Sequence, residues 1–374
     1  MDLVSVLQVL GGLALLVAGG EVLVRGASAL AVDVGISPLV VGLTVVSVAT
    51  SAPELAVTTS AVFTGESDLA LGNVVGSNIA NILLILGVSA VVLPLAVRRQ
   101  LVRVDVPFLI GFGLLLVLLT SDGDISTLDG GILLAVWVGH TLLSVWLSKR
   151  GDIPADAVEE EPPNVSAPVA LVLVVVGVAL LVGGSNLLVT GAVAIAGALG
   201  ISSLVIGLTV VAIGTSLPEL VASLAAVRKG ETDLAVGNAI GSCLANIGLV
   251  LGVPALAKPG GLPVPAAAFS VDLPLMVAAS AALLPVVYTG GRIARREGLL
   301  FVALYVSYTA YLVLDASGRE AEEGFSLVMV VLVLPLVGVT LLVLAGRERA
   351  ERRRRRQGHA ASDSSSPASD RGSD

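Results

Sequence analysis

Charge is scarce in this chain, and cysteine and histidine are scarcer. Charged residues make up 13% of 374 positions, about half the share of a soluble domain. That deficit excludes an ordinary soluble fold. The single cysteine, Cys243, excludes an internal disulfide and says little about redox compartment. The two histidines, His140 and His359, stand far apart. No His-Glu-x-x-His motif occurs, and no nucleophilic serine has an evident base, so no enzyme is expected. The start, Met-Asp-Leu-Val, lacks the basic residues of a signal peptide, and the apolar run that follows is too long for one.

Hydrophobic residues, by contrast, reach 55%. Apolar stretches of about 20 residues, long enough to cross a ~30 Å hydrocarbon layer, recur along the whole length. The chain reads as an all-α polytopic membrane protein. Eleven spans are expected, near 4–24, 37–63, 69–93, 104–120, 128–147, 167–189, 202–227, 234–256, 271–288, 298–315 and 326–346. The first ten divide into a five-helix repeat over 1–147 and a second over 168–315. Between them, 148–167 is a polar, acidic, Pro-rich linker. An extra helix at 326–346 and a basic, then Ser/Asp/Gly-rich tail at 347–374 complete the chain.

The placement of charge sets the topology. Arg98, Arg99 and Arg103 follow span three, and Lys149 and Arg150 follow span five. Arg228 and Lys229 follow span seven, and Arg292, Arg295 and Arg296 follow span nine. The run from Arg347 to Arg356 follows span eleven, as an anchor near anionic headgroups. The alternate loops hold Glu66, Asp68, Asp122, Asp124, Asp129, Glu320, Glu322 and Glu323, with Lys258 and Arg319 the only basic residues there. An outside N-terminus and a cytoplasmic C-terminus satisfy this pattern, with the multi-pass chain in the cell membrane.

The chain contains one stretch twice. Gly42-Leu-Thr-Val-Val-Ser-Val-Ala-Thr-Ser-Ala-Pro-Glu54 matches Gly207-Leu-Thr-Val-Val-Ala-Ile-Gly-Thr-Ser-Leu-Pro-Glu219. At the same offset, Gly72-Asn73-Val-Val-Gly-Ser77-Asn-Ile-Ala-Asn81 matches Gly237-Asn238-Ala-Ile-Gly-Ser242-Cys-Leu-Ala-Asn246. The copies register a flip. Phe63-Thr64-Gly-Glu-Ser-Asp68 becomes Arg228-Lys229-Gly-Glu-Thr-Asp233, with Arg-Lys where the second copy should face the cytoplasm. Five spans per half, an odd number, give opposite orientations. This is the inverted-repeat plan of secondary transporters, whose site lies at the repeat interface near the midplane.

Glu54 and Glu219 are the residues hardest to explain by packing. A carboxylate at the centre of a membrane helix costs about 3 kcal/mol, and such residues mark ion paths. The plain alternative is a protonated glutamate bonded between helices. Pro53 and Pro218 remove a backbone donor in mid-helix, partly free the carbonyls of the preceding turn and let the helix bend. Thr50, Ser51 and Glu54 lie close to one face, and Thr215, Ser216 and Glu219 repeat them. Ser77 shares a face with Asn81, as Ser242 does with Asn246. The set is carboxylate, hydroxyl and amide oxygen, without imidazole or a thiolate cluster. Such ligands suit Na⁺ and Ca²⁺ rather than zinc or copper. Two carboxylates balance one Ca²⁺ and also attract several Na⁺, so competition for shared ligands is a natural basis for exchange.

Other residues have blander readings. Gly72, Gly76, Gly237 and Gly241 form Gly-x-x-x-Gly pairs suited to close helix approach, or to a break beside Ser77 and Ser242. Asp105 and Asp272, each two residues before a proline, read as helix caps. Cys243 reads as a small filler, and His140 as a packing or interfacial residue.

The paired Thr-Ser-x-Pro-Glu and Gly-Asn-x-x-Gly-Ser-x-x-x-Asn motifs resemble the two alpha repeats of the cation/calcium exchanger superfamily, in particular its prokaryotic sodium/calcium exchanger branch. The resemblance covers the first ten spans. It implies exchange of several Na⁺ moving inward for one Ca²⁺ moving outward by alternating access, with no cofactor and no nucleic-acid partner. It carries the ion ligands onto Thr50, Ser51, Glu54, Ser77, Asn81, Thr215, Ser216, Glu219, Ser242 and Asn246, with backbone carbonyls near Ser47 and Ala212 adding to the sodium positions. Spans one and six become a sliding gate, eased by Gly19, Gly26, Gly184 and Gly191. Neutral Asn246, where some relatives have Asp, disfavours potassium co-transport. A H⁺/Ca²⁺ antiporter is the alternative, since glutamate can carry protons, and a cation channel is a more distant one.

Overall fold

The computed structural model describes residues 3–150, 165–199, 212–266 and 268–316. The chain opens with a long helix, α1 (Leu3–Val34). Two shorter helices follow, α2 (Pro38–Thr50) and α3 (Ala52–Thr64), bent 48° from each other at Ser51. Then come α4 (Ser67–Val92), α5 (Leu101–Leu119) and α6 (Thr127–Lys149). The second series is α7 (Ala167–Ala198), α8 (Ala212–Thr215), α9 (Leu217–Arg228), α10 (Thr232–Ala257), α11 (Ala268–Val287) and α12 (Arg295–Ala316).

The described helices are a polytopic membrane bundle. Seven are long and apolar enough to cross a membrane, or eight if the bent α2–α3 pair is one span. The α12 helix covers the expected tenth span. The first part of the expected seventh span and all of the eleventh lie outside the described residues.

Burial divides the helices into centre and rim. In their apolar windows α4 and α10 are 78% and 83% buried, whereas α1 and α7 are each 28% buried. The rim helices turn Leu7, Leu10, Leu13, Val172, Val175 and Val176 outward, as a lipid-facing surface requires. Against each other, α1 and α7 use glycine. A Cβ on Gly12 would stand 2.7 Å from Gly184 O, one on Gly19 2.9 Å from Gly177 O, and one on Gly26 2.8 Å from Ala170 O. The falling numbers show that α1 and α7 run antiparallel. Without Cβ atoms the two backbones touch directly, so dispersion replaces the hydrophobic effect that lipid cannot supply. Gly12 and Gly177 thus join the four seam glycines expected from the motifs.

Two short antiparallel ribbons tie the halves together. β1 (Leu95–Ala96) pairs with β4 (Arg292–Ile293), and β2 (Asp124–Ile125) pairs with β3 (Leu262–Pro263). Helix ends follow local chemistry. Gly65 and Gly230 close α3 and α9 in the left-handed region at φ 83° and 81°. The next amide bonds back across the turn, Glu66 N–H to Ala61 O at 2.8 Å and Glu231 N–H to Ala226 O at 2.9 Å, a glycine-dependent stop. Ser126 opens α6 with a capping box to Asp129.

The Asp105 and Asp272 residues are not caps. The helices begin earlier, as π turns over Leu101–Asp105 and Ala268–Asp272. Both aspartates are already helical, at φ −72° and −71°, and neither makes a side-chain cap bond.

Candidate functional site

The two Thr-Ser-x-Pro-Glu stretches break rather than merely bend. Ser51 (φ −79°, ψ 9°) and Ser216 (φ −90°, ψ 8°) leave helical geometry. New helices start at Ala52 and Leu217, with proline in the first turn, where its missing N–H does no harm. Glu54 and Glu219 therefore fall in the first turns of α3 and α9. There the unpaired N–H groups and the positive end of the helix dipole favour an anion. The α2 and α8 helices end at Thr50 and Thr215, and a helix end turns its last carbonyls outward without helical partners. Each break thus offers a carboxylate from one half-helix and carbonyl oxygens from the other, a pattern found where discontinuous helices hold ions.

The halves exchange hydroxyls. Ser51 Oγ donates to Glu219 Oε1 at 3.3 Å, and Ser216 Oγ donates to Glu54 Oε1 at 3.4 Å. Ser216 Oγ also lies 3.4 Å from Ser77 Oγ. Thr50 Oγ1 lies 3.2 Å from Asn238 Oδ1. Nine of the ten expected residues are buried, and both glutamates are 1% exposed. The tenth, Thr215, is half-buried. It lines a cleft of about 430 Å³ with Pro53, Ala56, Ser185, Asn186 and Val189.

The second motif enters on α4 and α10. Asn81 and Asn246 both lie where these helices widen into π turns, Ala80–Ile85 and Asn246–Leu251. Such bulges recur at functional sites because they re-aim one side chain. Asn246 Nδ2 donates to Asn78 Oδ1 at 3.1 Å. Cys243, the counterpart of Asn78, is buried with Sγ 3.7 Å from Asn78 O. Gly237 and Gly241 pack on α2, where a Cβ on Gly241 would meet Leu43 Cα at 2.6 Å. The α2 counterpart that would face Gly72 and Gly76 lies outside the described residues.

Two asparagines escaped the expected set. Asn73 Nδ2 donates to Glu54 O at 3.1 Å and Thr58 Oγ1 at 2.9 Å. Asn238 Nδ2 does the same to Glu219 O at 3.2 Å and Ser223 Oγ at 3.0 Å. They pin the first turns that carry the acids. Their signal was the repeated Gly-Asn pair, read only for its glycines. Ser47 O, expected to face sodium, already accepts from Ser51 N–H at 3.0 Å and Thr50 Oγ1 at 3.3 Å.

The chemistry is in what remains unpaired. Glu54 Oε2, Glu219 Oε2, Asn81 Oδ1, Asn246 Oδ1 and Ser242 Oγ are buried without a hydrogen-bond partner. Four are pure acceptors from equivalent positions of the two halves. Leaving one buried polar group unpaired costs about 1–3 kcal/mol, and more for a charged one. Oxygens of this kind are what a dehydrated hard cation takes as ligands. Among the described residues no three His, Cys, Asp or Glu side chains cluster, so a zinc-type centre has no ligand set there.

The fold and site define a class, that of helical membrane carriers with a buried oxygen-lined polar centre. The particular family follows from comparison: residues 4–146 and 169–314 match the sodium/calcium exchanger protein family model, and the chain belongs to that family. It is 42% identical over 314 residues to the protein CaxA of Alkalimonas amylolytica, covering 82% of this chain and 98% of that one. It is 31% identical over 349 residues to the sodium/calcium exchanger MaX1 of Methanosarcina acetivorans, covering 83% and 99%. The sodium-calcium exchanger NCX_Mj, in a crystal soaked with 10 mM Na⁺ and zero Ca²⁺, superposes at a TM-score of 0.71 and 33% identity over 85% of this chain and 100% of that one. The family exchanges ions and is not one of enzymes.

Proposed function

We propose that this chain is a Na⁺/Ca²⁺ antiporter that works by alternating access, with both ions competing for one site at the middle of the membrane. The ligands are Thr50, Ser51, Glu54, Ser77 and Asn81 from the first repeat and Thr215, Ser216, Glu219, Ser242 and Asn246 from the second. One observation carries this reading: two buried carboxylates, one from each half, each keep an unpartnered oxygen, and so do the buried Asn81, Asn246 and Ser242 of the second motifs. Two negative charges balance one Ca²⁺. Several Na⁺ of similar size can replace it while leaving the same oxygens satisfied. The exchanger names of MaX1 and NCX_Mj support the choice of ions.

The halves are two five-helix repeats, 1–147 and 168–315, of opposite orientation. The antiparallel crossing of α1 and α7 supports that arrangement. With the N-terminus outside, α3 and α7 both end at the outer face. The cleft between them then leads from outside to Thr215 and Pro53, which is an outward-open form. Sliding of α1 and α7 along their glycine seam would close it.

The experiment is Ca²⁺ uptake into vesicles given an outward Na⁺ gradient. The purified protein should support it, and Glu54→Gln and Glu219→Gln should each abolish it while keeping a normal elution profile. Uptake that runs equally well on a proton gradient without Na⁺ would defeat the assignment of the coupling ion.

A further inference from the structure

A second buried polar cluster lies away from the cation site, and transport leaves it without a role. His140 Nε2 lies 3.1 Å from Asp105 Oδ1, with the two side chains 3% and 0% exposed. Gln100 and Ser144 approach the same carboxyl group. Yet Asp105 Oδ2, Ser144 Oγ and both polar atoms of Gln100 are buried without a hydrogen-bond partner. Phe108 stacks on the imidazole with ring centroids 4.2 Å apart.

The donor set distinguishes a proton from a metal ion here. Ser144 brings a hydroxyl and Gln100 an amide to the Asp105 carboxyl group, and each can donate to a carboxylate. Such surroundings suit an ionised Asp105, and an ionised acid buried here needs one positive charge beside it. His140 can supply it by taking a proton, and the Phe108 face stabilises an imidazolium. Among the described residues, His140 is the potential cation paired with Asp105. Of the other charges on the surrounding elements, Arg103 is exposed, Asp129 is held at the Ser126 cap and Asp233 pairs with Arg98. Lys149 closes α6 and Asp272 lies in the opening turn of α11.

The cluster is also one-sided. With Gly130 aligned to Gly298, the α12 positions matching His140 and Ser144 carry Tyr308 and Leu312. The acid recurs as Asp272, but the imidazole has no counterpart at the matching α12 position. In the topology proposed above, that half places the cluster toward the cytoplasm, because Arg98, Arg99 and Arg103 precede it and Lys149 and Arg150 follow it.

We propose that Gln100, Asp105, His140 and Ser144 form a proton-binding site, separate from the transport site, that takes and releases one proton on His140. With the proton bound, an imidazolium–carboxylate pair clamps α5 to α6. When it leaves, the buried carboxylate loses its counter-charge and the clamp weakens. The α6 helix carries this change toward the cation site, since its Trp137 side chain fills the space over Gly248, two residues beyond Asn246.

The chain has two histidines, His140 and His359, so His359→Gln leaves one imidazole to observe. Nitrogen-15 NMR of that full-length protein in lipid nanodiscs, titrated between about pH 5 and about pH 9, reads the charge of His140 directly. The expected result is a single imidazolium-to-imidazole transition that shifts or vanishes with Asp105→Asn. A neutral imidazole throughout overturns the proposal, and so does an imidazolium that never releases its proton. Thermal unfolding provides a second reading. The midpoint should fall by a few degrees more in the parent than in His140→Gln as pH rises from about 6 to about 8.5, and parallel curves refute the clamp.

Discussion

Replacing Gly184 with alanine, and separately its neighbour Gly183, isolates the contact on which the proposed sliding of α1 against α7 depends. Both residues lie in the interior of α7, so alanine brings each the same gain in helix propensity, about 1 kcal/mol. Their surroundings differ completely. A Cβ on Gly184 would stand 2.9 Å from Gly12 O, Leu15 Cβ and Leu16 N, whereas one on Gly183 meets nothing within 4 Å. The atoms crowded at Gly184 are mainly backbone, which cannot rotate away, so the helices must part. Overpacking of this kind costs about 1–3 kcal/mol. The propensity gain cancels in the comparison, which leaves a difference of about 1–3 kcal/mol between the variants. Thermal unfolding should place Gly183→Ala at or above the parent and Gly184→Ala a few degrees below it. If the whole penalty enters the barrier between states, Na⁺-driven Ca²⁺ uptake by Gly184→Ala drops by roughly 5- to 150-fold. Equal behaviour of the two variants would refute the seam as the moving contact.

Three further outcomes follow from the site. Asn73→Ala removes the bonds to Glu54 O and Thr58 Oγ1, and Asn238→Ala those to Glu219 O, Ser223 Oγ and Thr50 Oγ1, at about 0.5–1.5 kcal/mol per bond. Both should weaken Ca²⁺ binding measured by calorimetry, and full affinity in either would show that the first turns hold without them. Ser51→Ala and Ser216→Ala each remove a hydroxyl that reaches the acid of the opposite half. Each should lower Ca²⁺ affinity by roughly 2- to 10-fold, in line with a bond worth about 0.5–1.5 kcal/mol; a change in one variant and not its partner would break the symmetry argued above. Saturating Ca²⁺ should raise the unfolding midpoint, because a ligand at 100 times its Kd adds about 2.7 kcal/mol. Glu54→Gln should lose that rise, and a rise that survives would place the ion elsewhere.

Much of the site was legible in the chain because its signals are local. Glu, Ser and Thr crowded into five residues of an apolar stretch stand out whatever surrounds them, and a stretch copied at constant offset announces two equivalent halves. The same locality explains what was missed. The proline pattern predicted a bent helix, but the change at Ser51 and Ser216 from a bend to a break depends on the surrounding packing. Asp105 read as a cap because a cap is a local reading, and its partner His140 lies on another helix.

Residue order alone supplies the inventory: a membrane chain, two matched halves, a pair of acids and the polar residues near them in the chain. The pairing comes from the packed bundle. Ser51 serves Glu219 and Ser216 serves Glu54, Asn73 and Asn238 bind the turns that carry the acids, and Gly12 and Gly177 extend the seam. These contacts join residues on separate helices. Helical periodicity fixes which side chains share a face, but which faces meet depends on how the whole bundle packs.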